Sequence, residues 1–413
     1  MDARRRTGLP HPLQGLTVIE LAEDPGGEYA GQLLAEMGAK VIKIEPPDGS
    51  PSRAVGPYAK GEASADTSLN FWHYNSNKLS VTLDLAAPNG LAPVMALLDR
   101  ADIFICTLQP AALKALGLDF EIVTRDFPRL IVVSVTAFGL TGPWADYRSS
   151  DLVALAAGGP LNSCGYDDHT IPPIRPGGNQ GYHTVASFAH IGVMLALLER
   201  QKTGLGQMLD ISMHEACAVN VELANPYWFY PRVHVHRQTC RHAQPSPTQS
   251  ALFRCGDGRY VYYTLIVGDQ RGWQSLVAWM DAAGMAAQLT DPAFADIKYR
   301  QDHFGEIQEV VECFFLVHDS DRMYKEGQAA GLPIGVLNAP EDLFTDEHLV
   351  AREFFVTVEH EGLGPVVYPG CMYRFSAFGE VARIRAPKLG EHTDAVLSEL
   401  VEQAAEKTEE RVQ

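Results

Sequence analysis

Residues 16–45 read LTVIELAEDPGGEYAGQLLAEMGAKVIKIE, and this stretch decides the fold. An apolar run from Thr17 to Leu21 passes into an acidic, glycine-bearing turn, AEDPGGEYAG. An amphipathic piece from Gln32 to Met37 follows, and a second apolar run, Lys40 to Ile44, ends on Glu45. Strand, turn, helix and strand in so short a span make a β-α-β unit, whose crossover lays the two strands side by side in parallel. The pattern predicts an α/β, Rossmann-like domain that binds its ligand beyond the carboxyl ends of its strands.

Outward from this unit, Leu79–Leu83, Asp102–Cys106 and Leu130–Val135 read as further strands. The last is a continuous apolar run of the buried parallel type. Leu91–Asp99 and Thr184–Glu199 read as helices; a strand closes at Ser212, and Met213–Leu223 starts another helix. Past Leu223 the chain turns aromatic, histidine-rich and turn-rich. There Ala251–Cys255 and Tyr260–Thr264, joined through Gly256-Asp257-Gly258, read as a hairpin, followed by a helix from Trp273 to Met280. The predicted organisation is a large domain over residues 1–223, a smaller α+β domain over 224–331, and a return to the large domain over 332–413. The tail after Glu399 reads as a frayed helix.

Composition bounds the function. A chain of 413 residues with 46% hydrophobic and 20% charged residues has room for two or three domains. The opening MDARRRTGLPHP has no apolar core behind its arginines and reads as a frayed N-terminus, not a signal peptide. No apolar run is expected to cross a bilayer, so a cytoplasmic location without a membrane partner is expected. Seven scattered cysteines without a C-x-x-C pair predict reduced thiols. A net charge of −18 argues against a nucleic-acid surface, and a polyphosphate ligand would need a local basic site. His234, His236, Cys240 and His242 are zinc-ligand types, but their spacing matches no standard finger, so no metal is expected.

The chemistry is expected in residues 137–159, AFGLTGPWADYRSSDLVALAAGG. Ser149-Ser150 before an apolar run predicts a helix with a serine N-cap and Asp151 in its first turn, where free N–H groups favour a charged carboxylate. Taken alone, such an aspartate reads as a helix cap. Gly26, Gly27 and Gly31, with Glu45 roughly 20 residues on, raise an NAD-dependent dehydrogenase as an alternative. The glycine order is G-G-x-x-x-G, however, and the acidic Glu23-Asp24 suits no pyrophosphate.

Nearly the whole chain, Leu13 to Ser398, resembles the class III CoA-transferases, the family of formyl-CoA transferase, carnitine CoA-transferase and α-methylacyl-CoA racemase. Leu13, Gly15, Val18 and Glu20 fit the family's opening, and Gly38-Ala39-Lys40-Val41-Ile42-Lys43-Ile44-Glu45-Pro46-Pro47 its next motif. Phe71, Asn75, Asn77, Lys78, Ser80 and Leu83-Asp84-Leu85 fit a third, and Phe138-Gly139, Gly142-Pro143, Asp151 and Gly158-Gly159 the segment that carries the nucleophile. Pro333, Gly335, Val336, Glu341, His348, Arg352 and Phe355 fit the C-terminal motifs. Thr107, Leu108 and Gln109 stand where the family has Asn, an aromatic and a basic residue, with Lys114 as a replacement cation. Gln244-Pro-Ser-Pro247 has none of the glycines of the family's covering loop.

The resemblance implies an interlocked homodimer acting on an acyl-CoA and a carboxylic acid, with CoA as substrate and no tightly bound cofactor. Asp151 would attack the thioester, giving an anhydride and then an aspartyl-CoA thioester. Implied CoA contacts are Asp24, Pro25, Gly26, Lys43, Arg53, Asn75, Asn77, Lys78, Leu108, Lys114 and Phe138, with Lys43, Arg53 and Lys78 forming the local basic edge. The alternatives are a racemase, in which Asp151 would share proton transfer with a histidine, or a CoA-binding protein without catalysis. Ser150 stands where racemases carry that histidine, although His169 and His183 downstream could fold back.

Overall fold

The computed structural model describes residues 9–221, 223–265 and 268–412, with side chains to residue 402. The arginine-rich opening, residues 1–8, lies outside them. The chain forms two compact units.

The large unit runs to Pro160, resumes over Pro176–Asn220 and takes everything from Val350 on. Its N-terminal part alternates β1 (Thr17–Leu21), α1 (Pro25–Ala35), β2 (Lys40–Glu45), α2 (Leu69–Asn75), β3 (Lys78–Thr82), α3 (Ala92–Leu98), β4 (Ile103–Cys106), α4 (Pro110–Leu116), α5 (Phe120–Asp126), β5 (Ile131–Thr136), α6 (Asp151–Ala157), α7 (Gln180–Thr203), β6 (Met208–Ser212) and α8 (Met213–Ala218). All six strands are parallel, in the order β3-β2-β1-β4-β5-β6. β4 and β5 are buried along their whole length, as strands covered by helices on both faces must be.

Two expectations change here. Helix α1 starts at Pro25, not Gln32, because Asp24 caps it and Pro25 takes a first-turn position needing no N–H. Most of the supposed turn is therefore helix. Its glycines serve packing: a Cβ on Gly27 would lie 2.3 Å from Thr107 Cγ2, and one on Gly31 would lie 1.9 Å from Glu20 Oε2. The second change concerns α7, whose 24 residues are long and apolar enough to cross a bilayer by length and composition. One face, Val185, Ala186, Ala189, Val193 and Ala196, is nevertheless buried in the protein, as in the core helix of an α/β domain.

The small unit comprises Leu161–Arg175 and Val221–Leu349. It holds α9 (Ala224–Phe229), the hairpin β7 (His236–Gln238) and β8 (Arg241–Gln244), then β9 (Leu252–Arg254), β10 (Tyr260–Tyr263), α10 (Gln270–Ala282), α11 (Ile297–Asp302), α12 (Phe304–Leu316), α13 (Ser320–Ala329) and β11 (Ile334–Val336). The predicted hairpin is β9-β10, and β11 adds antiparallel to β10. Because β11 completes this sheet, the return expected at Leu332 comes later, after α14 (Glu347–Ala351) begins. Residues 161–175, placed in the large domain by sequence, also belong here.

The return adds a second hairpin, β12 (Phe355–His360) and β13 (Gly364–Pro369), and ends in α15 (Thr393–Val412). It is fastened to the large unit's own edge: Asn77 Nδ2 donates to Ala382 O at 2.7 Å, Asn77 Oδ1 accepts from Ile384 N at 2.9 Å, and Val396 enters the core from a helix packed against β3 and α3. All seven cysteines are free thiols.

Candidate active site

Ser150 caps α6 by accepting from Val153 N, and Asp151 occupies the first turn, as the sequence predicts. The carboxylate is 3% exposed, and its Oδ1 accepts a 2.7 Å hydrogen bond from Gly181 N. Gly181 lies in the first turn of α7, so the positive end of a 24-residue helix faces this oxygen. A Cβ at position 181 would stand 3.2 Å from Asp151 Oδ1 and 3.5 Å from Cys217 Sγ, which is why glycine fits. Burial and the Asp151 charge push the Cys217 thiol up to about 11, so it stays neutral.

A polar group from α2 joins this turn. The Tyr74 hydroxyl lies 3.0 Å from His183 Nε2 and accepts from Asn179 Nδ2 at 2.9 Å. Burial holds His183 below the ordinary histidine range, against the pull of Asp151. Burial raises the Tyr74 phenol, and the charges of Glu28 and Asp151 add to that.

Beside this cluster a cavity opens at the carboxyl ends of β1, β4 and β5, where the strand order reverses and open α/β sheets bind ligands. Asp24, Thr107, Gln109, Thr136, Ser149 and Tyr182 line it. Asp24 Oδ1 accepts from Gly26 N and Gly27 N at 2.9 and 3.2 Å, yet burial pushes this carboxyl up to about 6. Pro25 and Gly26 follow it in the first turn of α1, where Gly26 is buried. Leu108 packs on the core under β4, whereas Lys114 is exposed on α4. Phe138 joins Trp144, Tyr147 and His214 in an aromatic cluster, with ring centroids 5.6–6.3 Å from its own.

The expected basic edge is corrected. Lys43 Nζ is buried and meets Glu20 Oε1 at 3.1 Å, Glu28 Oε1 at 2.9 Å and Ala22 O at 2.7 Å. Lys78 Nζ, also buried, meets Glu20 Oε2 at 2.7 Å and Asn75 Oδ1 at 2.8 Å. Arg53 grips Glu45 through Nε at 2.6 Å and Nη2 at 2.8 Å, and lies 3.7 Å over the Phe71 ring. These cations neutralise internal carboxylates, because a buried charge needs a partner. Asn75 and Asn77 likewise spend their amides inside the protein. Glu45, the would-be ribose acid of a dehydrogenase, is sealed in the Arg53 pair.

His169 belongs to the small unit and stacks on His236, while His234 packs on Trp228 and Cys240 sits at the β7-β8 turn with φ 52°. Among the described residues no group of three His, Cys, Asp or Glu side chains could hold a metal ion. Sequence reasoning missed Tyr74, Asn179, Gly181 and Cys217, and saw His183 only as a histidine downstream. The N-Q-G-Y-H spacing at the head of α7 was the one available signal.

Fold and site define an α/β protein with a buried carboxylate beside the switch point of a parallel sheet. The family model for CoA-transferase family III matches residues 13–393, so the chain belongs to that family and is an enzyme of the CoA-transferase class. It is 32% identical over 379 residues to succinyl-CoA:(R)-benzylsuccinate CoA-transferase subunit BbsE of Thauera aromatica, covering 90% of each chain. It is 30% identical over 395 residues to succinyl-CoA–D-citramalate CoA-transferase of Chloroflexus aurantiacus, covering 95% of this chain and 94% of the relative. A solved CAIB/BAIF family protein from Brucella suis superposes with a TM-score of 0.81 at 26% identity, over 95% of this chain and all of the other.

Proposed function

We propose that this enzyme moves CoA from a dicarboxylic acyl-CoA, succinyl-CoA in the first instance, to a carboxylic acid acceptor, with Asp151 as nucleophile. The observation that carries the reading is the Gly181 N–H on Asp151 Oδ1 at 2.7 Å. On this reading Oδ1, which already faces a donor, becomes the carbonyl oxygen, and Oδ2 is the attacking oxygen. Oδ2 attacks the thioester carbonyl, the C–S bond breaks, and CoA thiolate leaves a mixed anhydride. The thiolate then attacks the aspartyl carbonyl and releases the donor acid. Charge gathering on Oδ1 in that step meets the fixed Gly181 amide and the α7 dipole. The acceptor carboxylate attacks the aspartyl-CoA thioester, and the thiolate finally takes the acceptor acyl group and frees Asp151. No net proton transfer is needed. Succinyl-CoA is chosen because the names of both relatives above contain it.

Incubation with succinyl-CoA and no acceptor should give a hydroxylamine-sensitive adduct on the peptide holding Asp151, seen by intact mass, and Asp151→Ala should abolish adduct and turnover together. A second reading, α-proton exchange of a 2-methylacyl-CoA, is favoured by the placement of His183 beside the Asp151 turn. Solvent deuterium entering the α-carbon with no adduct would select it. The homodimer is supported by Phe188, Ile191, Leu195 and Leu198, an apolar stripe on α7 that is 40–62% exposed. Light scattering at micromolar concentration should give about twice 45.2 kDa, and a monomer mass sinks the dimer.

A further inference from the structure

Three polar groups on two helices meet beside Asp151. Asn179 Nδ2 donates to the Tyr74 oxygen at 2.9 Å, and that oxygen lies 3.0 Å from His183 Nε2. An amide nitrogen only donates, so it takes a lone pair of the phenol and leaves the phenol's single proton for the imidazole. His183 Nε2 is then an acceptor, and the ring carries its proton on Nδ1. A proton on Nε2 would confront the phenol proton, and Tyr74 could turn that proton elsewhere only by disturbing the Asn179 bond. The groups around the ring are Tyr29 of α1 at 4.8 Å between centroids, His73 and Tyr74 of α2 at 6.5 and 5.8 Å, and the Asp151 charge at the start of α6. Burial opposes a charge on His183, and Asp151 favours one. Tyr74 adds its weight against the charge.

We propose that Tyr74, backed by Asn179, is a positioning residue that holds His183 as the neutral Nδ1–H tautomer and so keeps positive charge away from the Asp151 carboxylate. An imidazolium there would stabilise the carboxylate before attack, and that attraction would be lost as charge leaves the oxygen, which raises the barrier. The kinetic consequence rests on Asp151 being the nucleophile; the tautomer does not.

The test uses full-length protein with ring-15N-labelled histidine, comparing wild type, His183→Gln, Tyr74→Phe and Tyr74→Phe/His183→Gln. The His183→Gln spectrum assigns the signal. In the wild type His183 should show the neutral Nδ1–H pattern from about pH 8 down to about 5.5, with adduct formation from succinyl-CoA flat over that range. Tyr74→Phe keeps the ring packed against Tyr29 and removes only the hydroxyl. His183 should then titrate at a higher pH than in the wild type, and adduct formation should fall as the pH drops from about 7.5 to about 5.5, where the wild type stays flat. The double variant cannot carry the charge and should restore the flat profile. A wild-type His183 on the Nε2–H tautomer or charged at pH 6 overturns the proposal, as does an unchanged titration in Tyr74→Phe. If the wild type forms no adduct at any pH, the nucleophile reading falls and the nitrogen spectra alone decide the lock.

Discussion

Replacing Lys43 by methionine separates a CoA contact from a structural charge. Lys43 Nζ touches two carboxylates and a carbonyl at 2.7–3.1 Å with no exposure, and Lys78 shares Glu20 with it. Glu20, Glu28, Lys43 and Lys78 form a buried quartet without net charge. Lys43→Met keeps most of the volume and leaves two carboxylates facing one ammonium. Breaking a buried pair by removing one partner costs about 3–5 kcal/mol. With a urea slope of about 3 kcal/mol per molar, the unfolding midpoint of the large unit should drop by about 1–1.7 M. Burial alone would depress Lys43, but Glu28, Glu20 and Glu45 carry it above the ordinary lysine value. With a raised folded pKa, its contribution is complete below the unfolded lysine value of about 10.4 and fades only as pH rises through the folded value. The destabilisation should therefore be the same at pH 6 and pH 8. Measured on folded protein, the KM for succinyl-CoA should stay within about twofold. A variant of wild-type stability whose KM rises tenfold would refute the burial argument and return Lys43 to the CoA site.

Burial would raise the Glu45 carboxyl, but the Arg53 hydrogen bonds and the Lys43 charge bring it down from 4.5 to about 2, a difference of about 3 kcal/mol. That stability is present above pH 4.5 and lost as pH falls toward 2, so Glu45→Gln should flatten the acid limb of a stability–pH curve there. Gly181→Ala sets a methyl 3.2 Å from Asp151 Oδ1 and should lower kcat about tenfold with KM nearly unchanged, as steady-state kinetics would show. Lys114→Ala, at an exposed cation on α4, should raise the KM for acyl-CoA about threefold at low salt and reduce its salt dependence. An unaltered salt slope would remove Lys114 from the CoA site.

The pattern of apolar runs was enough to place the β-α-β unit, the later strands, the β9-β10 hairpin and the serine cap before Asp151, because each depends on neighbours a few residues apart. The large domain's use of both chain ends was likewise legible in the C-terminal motifs. Charge roles were not. Lys43 and Lys78 read as a basic edge because the carboxylates that neutralise them, Glu20 and Glu28, arrive on a neighbouring strand and helix. Arg53 met Glu45 across a proline-rich loop for the same reason. The late return at Val350 was hidden because β11 finds its partner, β10, some seventy residues back, a pairing no local periodicity encodes. Asp151 lacked its amide donor until α7, thirty residues on, brought Gly181 against it. Short-range order follows from side-chain pattern, but a carboxylate's function depends on which donors and charges surround it, and folding alone assembles those from distant parts of the chain.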